Sequence, residues 1–506
     1  MMFDRRALMQ TALSGVAGLL AFPGDAFAQP QGAAFSHATV IERARAVAAQ
    51  PFVPPRPVPK ALRALDYDLY RQIRYRRESA IWGTSPTAFS IQFFAPGFLF
   101  ESGVEISVVE SGYARRVLVN RNSFETPSEE IGALLASVGQ LAGFRLHYPI
   151  NRPDYDDEFI VFQGASYFRA VSRGQAYGLS ARGLALDVGE PGGEEFPVFR
   201  EFWIERPHAD AHAIVVHALL DSPSVAGAYR FAVYPGAPTA VDVDATLFPR
   251  VALEHVGLGA LTSMFMHGPV DPPDRPDYRP AVHDSLGLAM HTGSGEYLWR
   301  PLNNPAALQI SAFVDRNPRG FGLVQRARRF ADFEDLEAAY ERRPSAWVVP
   351  RGDWGEGHVQ LVEIPSDSEI NDNIVAYWRP AQPILADAPY RFSYRLTWPD
   401  HAPPRRGMGM ARVARTGYGL SFIGALPQFA IDYAGGSMPD GVLTAEVSAS
   451  AGQIAETVVQ ELPGGGGFRV FVTLDPGPAK NVELRVAPRI DGRPAGETWL
   501  YRWLGG

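Results

Sequence analysis

Through most of its length this chain places apolar residues at every second position, in short runs broken by Gly, Pro, Asp and Asn. That period matches the alternation of side chains along a strand and leaves little room for a helical fold. Val104, Ile106 and Val108 alternate with Glu105 and Ser107, Ser111-Gly112 follows as a turn, and Val117 to Val119 begins the predicted returning arm of a hairpin. Strand-like runs recur to about Trp378, with one helical patch expected from Asp335 to Glu341. A second alternating set comprises Leu443, Ala445 and Val447; Phe468, Val470, Val472 and Leu474; Val482, Leu484 and Val486; then Trp499, Tyr501 and Trp503. Short, turn-bounded strands over such a stretch predict a β-sandwich of immunoglobulin type. No repeat of solenoid or propeller period is present.

Between the two sets, Arg379 to Pro389 has the composition of an interdomain linker. The predicted organisation is residues 1–28 as an export signal, 29–60 as a helix and proline-rich connector, 61–380 as a large β domain, 381–390 as a linker and 391–506 as the C-terminal β domain. Two short helices are expected: one opened by Thr39-Val40-Ile41-Glu42 and ended by Pro51, the other started by Thr126-Pro127-Ser128-Glu129. The absence of cysteine excludes disulfides and thiolate metal sites, so stability must come from burial. A net charge of -8 argues against nucleic acid or anionic lipid as a partner.

The N-terminus sets Arg5-Arg6 before a mildly apolar stretch from Ala12 to Phe22, and Ala26-Phe27-Ala28 supplies a cleavage pattern that starts the mature chain at Gln29. Paired arginines with a Gly/Ser-containing apolar region favour twin-arginine export of a folded protein to the periplasm. A chance Arg-Arg in an ordinary secretion signal is the alternative. The stretch is too short and too weakly apolar for a stable membrane anchor.

His208, Asp210 and His212 alternate and would share one face of a strand, where imidazole and carboxylate together suit zinc; a polar strand face or edge is the competing reading. No Gly-x-Ser-x-Gly elbow is present, and Gly464 to Gly467 lacks the ending of a phosphate-binding loop. Two acidic loops are more informative. One runs from Met266 through Asp274-Arg275-Pro276-Asp277-Tyr278-Arg279 to His283-Asp284-Ser285, and the other from Glu363 through Glu369 and Asn371-Asp372-Asn373 to a strand from Ile374 to Trp378. Paired carboxyls on loops beside aromatics are what glycoside hydrolysis uses, although acidic loops also serve as solvated or capping residues.

Longer segments carry a resemblance. Asp66-Tyr67-Asp68-x-Tyr70-Arg71-x-Ile73-Arg74-Tyr75-Arg76, Phe93-Phe94-x-Pro96-Gly97-x-Leu99-Phe100, Phe144-Arg145-Leu146-x-Tyr148-Pro149-Ile150-Asn151 and Gln163-Gly164-Ala165-Ser166-Tyr167 are among them. Gly320-Phe321-Gly322-Leu323-x-Gln325-Arg326, Tyr340-Glu341-Arg342-Arg343-Pro344-Ser345, Gly352-Asp353-Trp354-Gly355 and Asn371-Asp372-Asn373-Ile374-Val375 complete the match. The chain resembles the periplasmic glucan biosynthesis proteins of the G and D type over nearly all its mature length, and its export signal looks more like the D type.

The resemblance implies a galactose-mutarotase-like β-sandwich followed by an immunoglobulin-like domain. It implies inverting hydrolysis of linear β-1,2-glucan, or transglycosylation, with Asp372 as general acid and Asp284 as general base. A turn aspartate capping the Ile374 strand is the alternative for Asp372. Glu369 is expected to raise Asp372 as a like charge, while His283 and Ser285 hydrogen-bond an ionised Asp284. Tyr278, Trp354, Tyr340, Arg275 and Arg343 are the expected sugar-cleft residues, each with ordinary packing or surface charge as its alternative. No metal or cofactor is expected; the expected partner is β-glucan, with other glucan biosynthesis proteins or a second copy as further candidates. Two positions depart from the family pattern, where aspartate is usual: Leu286 after His283-Asp284-Ser285, and Ala327 after Gln325-Arg326. They leave open a non-catalytic glucan-binding factor.

Overall fold

A computed structural model describes residues 32–273, 275–403, 410–435 and 441–505. The predicted signal, residues 1–28, lies outside the described residues. The chain is mainly β, as its period predicts.

A ten-stranded sheet and part of a sixteen-stranded sheet face each other. The former runs in spatial order Gln309–Arg316, Glu356–Glu363, Ile374–Pro380, Val256–Ser263, Ser180–Arg182, Tyr167–Ala170, Tyr155–Gln163, Gly143–Arg152 and Ser90–Phe94, with Ala185–Leu186 also paired to Val256–Ser263 as the tenth strand. Phe162 and Phe168 on this sheet meet Phe231 on the other, with ring centroids 5.3 Å apart in both pairs and edge-to-face geometry. Fully burying one such ring stabilises the fold by roughly 1.5–3 kcal/mol, so this aromatic layer dominates the larger core.

The predicted linker is corrected by strand pairing. Tyr390–Trp398 pairs with Thr239–Pro249 on one side and Trp347–Arg351 on the other, and its Phe392, Tyr394, Leu396 and Trp398 lie in the larger core. The stretch from Arg379 to Pro389 therefore connects two strands of one body. Proline and alanine mark irregular backbone there, whichever kind of element it joins. After Trp398, Arg412–Leu420, Pro427–Ala434, Gly467–Asp475 and Gln453–Glu461 form a separate four-stranded sheet. It packs on Thr498–Leu504, Asn481–Ile490 and Leu443–Ala449 around Phe429, Ile431, Val470, Val472 and Trp499. Thr498–Leu504 also pairs in parallel with Tyr297–Pro301 of the larger body, which makes the biggest sheet continuous across both units.

Local expectations shift by a few residues. The first helix is His37–Ala48 with Ser36 at its N-cap, one turn earlier than predicted; the Ser36 N–H donates to Thr39 Oγ1 at 3.1 Å. The second is Glu129–Val138, capped by Ser128 and closed by Gly139 at φ 64°, a conformation glycine adopts without strain. The returning hairpin arm is Tyr113–Arg116, ahead of the predicted Val117. The helical patch at 335–341 is instead a series of turns ending in the 3-10 turn Tyr340–Arg342. Asp335 caps a single turn, its Oδ1 accepting from the Glu337 and Ala338 N–H groups, and Ala339 at a left-handed φ of 46° stops the turn from propagating into a helix.

The N-terminal helix docks on the outer face of the larger sheet, burying Val40 and Ala44. At its start His37 Nδ1 lies 3.0 Å from His217 Nδ1, while His217 Nε2 lies 2.6 Å from Glu205 Oε1. Burial lowers the His37 pKa, and proximity to His217 lowers it further. A histidine whose folded pKa is depressed contributes stability present above its unfolded value, about 6.5, and lost as the pH falls below it. Amide protection factors, taken against the intrinsic exchange rate at each pH, are therefore expected to fall in residues 37–48 between pH 7 and pH 5 more than in the central strands, and an equal fall would refute this reading.

Candidate functional site

Strand alternation gives the ten-stranded sheet a core face and an opposite face that is polar around Tyr167, Arg182 and Thr262 and apolar around Val362, Val375 and Tyr377. Phe168, Ala181, Leu261 and Ala376 lie opposite one another across four strands and are buried. Their neighbours turn the other way: Tyr167 opposes Arg182, and Thr262 lies between Ser180 and Val375. Arg169 shares this face by the same alternation. The result is a face of arginine and aromatic rings, with the buried Arg182 guanidinium 4.9 Å from the Tyr167 ring and exposed Arg169 5.0 Å from the ring of Tyr177. Arg182 is ion-paired with Glu194, so its charge is largely compensated.

Both candidate carboxyls are tied to the end of the strand Val256–Ser263. The Asn373 N–H donates to the Ser263 carbonyl at 3.1 Å, and the Asp284 N–H donates to the next carbonyl, Met264, at 2.9 Å. Buried Asn373 adds a two-way clasp on Phe265, accepting its N–H at 2.8 Å and donating to its carbonyl at 2.9 Å. Asp372, immediately before this anchor, is open to water yet closely surrounded by protein, as a group on the floor of a cleft would be. Burial raises its pKa against the pull of Thr262, Arg182, Arg169 and Arg343.

Asp284 is 4 % exposed. Burial pushes its pKa up to about 6, Arg343 opposes the rise, and the charge of Asp372 adds to it. The two carboxyls therefore sense each other, and Arg343 Nη1 donates to Asp284 Oδ1. The expected hydrogen-bond neighbours are corrected: His283 and Ser285 do not bond the Asp284 carboxyl. The fully buried His283 accepts from Gln325 Nε2 at 3.0 Å through Nδ1 and stacks on Phe265 with ring centroids 5.5 Å apart. Burial drives its pKa down to about 3, which keeps it neutral. Ser285 instead accepts from Ser263 Oγ at 2.8 Å. Asp284 and Ser285 follow the short strand Val282–His283 in irregular backbone, so adjacency in sequence does not fix which groups their side chains meet.

Glu369 has a different role from the expected like charge beside Asp372. Its Oε2 accepts from Arg279 Nη1 and from the Tyr340 hydroxyl, each at 2.9 Å. Arg279 also holds Asp335 and Asp277, and thereby staples the two acidic loops together. Tyr340 is buried beneath Arg343, whose guanidinium lies 4.3 Å from the ring centre, so both belong to the frame around Asp284. Trp354 does not face the cleft: it is a core residue near Trp378 and Tyr394, and its Nε1–H donates to the Ser393 carbonyl at 3.2 Å. Tyr278 is 76 % exposed, and Arg275 is also exposed; neither touches the carboxyls.

His208, Asp210 and His212 lie in the turn between Val198–Glu205 and Ile214–Asp221, where strand alternation does not apply. No cluster of three or more potential ligands suited to a metal ion occurs among the described residues. The residues overlooked in the sequence were Arg169, Arg182, Thr262 and Arg279. The first three carried a faint signal, a polar residue alternating with buried apolar ones, but their strands are too short for it to stand out. Leu286 and Ala327 line a separate cavity near the C-terminal unit.

Residues 35–503 match the family described as periplasmic glucan biosynthesis protein, MdoG. The chain belongs to this family. It is 52 % identical over 470 residues to glucans biosynthesis protein G 2 of Shewanella oneidensis, covering 93 % of this chain and 88 % of that protein. It is 48 % identical over 484 residues to glucans biosynthesis protein G of Vibrio cholerae, covering 93 % of this chain and 87 % of that relative. Glucans biosynthesis protein G of Rhodopseudomonas palustris is 48 % identical over 488 residues, covering 96 % of each chain. Membership assigns a periplasmic role in glucan biosynthesis. These relatives bear the G designation, whereas the leaning toward the D type rested on paired arginines outside the described residues. No helix among the described residues is long and apolar enough to cross a membrane.

Proposed function

We propose that the protein is an inverting glycoside hydrolase acting on linear β-1,2-glucan, with Asp372 as general acid and Asp284 as general base. The observation that carries this reading is the pair of carboxyls, both with raised pKa, whose segments are held side by side by the Asn373 and Asp284 N–H groups on the consecutive carbonyls of Ser263 and Met264. Protonated Asp372 gives its proton to the glycosidic oxygen as the bond to the anomeric carbon breaks. A water oxygen bonds that carbon from the opposite face, and Asp284 takes up the water's proton. A sugar hydroxyl in place of that water would give transfer through the same groups. The sheet face of arginine and aromatic rings offers donors for hydroxyls and rings against which sugars pack.

Purified mature protein incubated with linear β-1,2-glucan should shorten the chains and release the α-anomer first, as followed by NMR. Longer or cyclic products would assign transfer, and unchanged chains would overturn the catalytic reading in favour of a binding factor. Activity should fall below about pH 6 as Asp284 becomes protonated. Arg343 holds that pKa down, so Arg343→Gln should move the acid limb upward by about one pH unit. A loss of activity equal at all pH values would assign Arg343 a purely structural role.

A further inference from the structure

A cavity of about 670 Å³ lies where the larger body meets the C-terminal unit, with His283, Leu286, Arg326, Arg328 and Arg415 among its lining residues. Its charges do not balance. Arg326 is paired with Glu497 and Arg329 with Asp332. The Arg328 guanidinium hydrogen-bonds only neutral oxygens, the carbonyls of Glu341, Arg343 and Asp400 and the Ser345 hydroxyl, with its Nε buried and unpartnered, and the Asp400 carboxylate offsets its charge only in part and without a hydrogen bond to it. Arg415 is exposed at the edge and makes no ion pair among the described residues. Burial lowers Arg328 to about 10, and it lowers His401 on the same wall, with Arg412 and Arg328 adding to the effect. The recess thus holds surplus positive charge, partly withdrawn from water.

His283 supplies an independent sign. Because its Nδ1 accepts from Gln325, the proton resides on Nε2, and that buried donor has no partner. Two buried donors without partners, Arg328 Nε and His283 Nε2, thus belong to residues that line the cavity. Pro269, Leu286 and Ala327 add an apolar wall, and the volume falls in the range of small-molecule sites of about 300–1,000 Å³.

We propose that this cavity binds an anionic group borne on a sugar-sized body, with Arg328 and Arg415 taking the anion and the apolar wall packing the ring. It is distinct from the carboxyl site, although His283 lines it and immediately precedes Asp284.

Isothermal titration of the full mature chain at low salt, with glucose 6-phosphate, inorganic phosphate and glucose as probes, tests the assignment. Binding is read without turnover, so the outcome is separate from the hydrolase reading. Glucose 6-phosphate should bind saturably and more tightly than phosphate, while glucose should give no binding. Arg415→Glu, at an exposed position, should weaken binding by about tenfold or more while leaving the melting temperature unchanged. Phosphate binding as tightly as glucose 6-phosphate would overturn the sugar-borne assignment. No saturable heat with either anion, or full affinity in Arg415→Glu, would overturn the site.

Discussion

An Asp372→Asn variant is expected to fold like the wild type and to lose about three orders of magnitude in glucan cleavage, within the usual range for removing a general acid. Asparagine keeps the shape of the side chain but has no proton to donate to the leaving oxygen. The anchor beside it is unaffected, since the Ser263 carbonyl is held by the backbone N–H of Asn373 and the Phe265 clasp by the Asn373 side chain. Stability should stay level or rise slightly. A carboxyl with a raised folded pKa binds its proton more tightly in the native state, so its contribution falls as pH rises from about 3.8 through the raised value, and asparagine removes that penalty at neutral pH. Product release measured beside thermal melting checks both parts. Undiminished cleavage with normal melting would remove Asp372 from the mechanism.

The largest stability effect is expected at the joint between the two units. Arg326 donates to Glu497 through Nη1 at 2.8 Å and Nη2 at 2.6 Å, and the side chains are only 6 % and 1 % exposed. Glu497 also accepts the Val413 N–H at 2.8 Å, and the Arg326 guanidinium lies 3.5 Å from the ring centre of Trp299. One carboxylate thereby connects a strand of the four-stranded sheet to the larger body. Glu497→Gln would leave a buried guanidinium without its counter-charge, at a cost of about 3–5 kcal/mol. Urea denaturation should show a clear fall in the midpoint. Adding Arg326→Met should recover part of the loss, because the stranded charge then disappears along with the pair. An unchanged midpoint in the single variant would show that the joint does not depend on this pair.

How much of this was legible beforehand differs between fold and site. The alternation of Val104, Ile106 and Val108, and of Phe468, Val470 and Val472, reports a strand directly, because side-chain direction is a local property. Asn371-Asp372-Asn373 ahead of the Ile374 strand was legible for the same reason. The Arg379 to Pro389 stretch was misread as an interdomain linker because composition reports irregular backbone, not whether the next strand returns to the same sheet. Trp354 was misread because an aromatic in a Gly-Asp-Trp-Gly turn looks equally suited to a sugar platform and to a core. Only the packing of Trp378 and Tyr394 around it decides.

By itself, the sequence determined the β class, the absence of disulfides, the family and the two acidic segments, all of them carried by neighbouring residues or composition. Tertiary structure alone decided that Asn373, next to Asp372, and Asp284 hang from the adjacent carbonyls of Ser263 and Met264 at one strand's end, that Arg343 rather than His283 holds Asp284, and that Arg279 joins the loops through Glu369. The physical reason is that strand pairing and ion pairing connect residues far apart in the chain, and burial sets the carboxyl pKa only after those connections have closed around it.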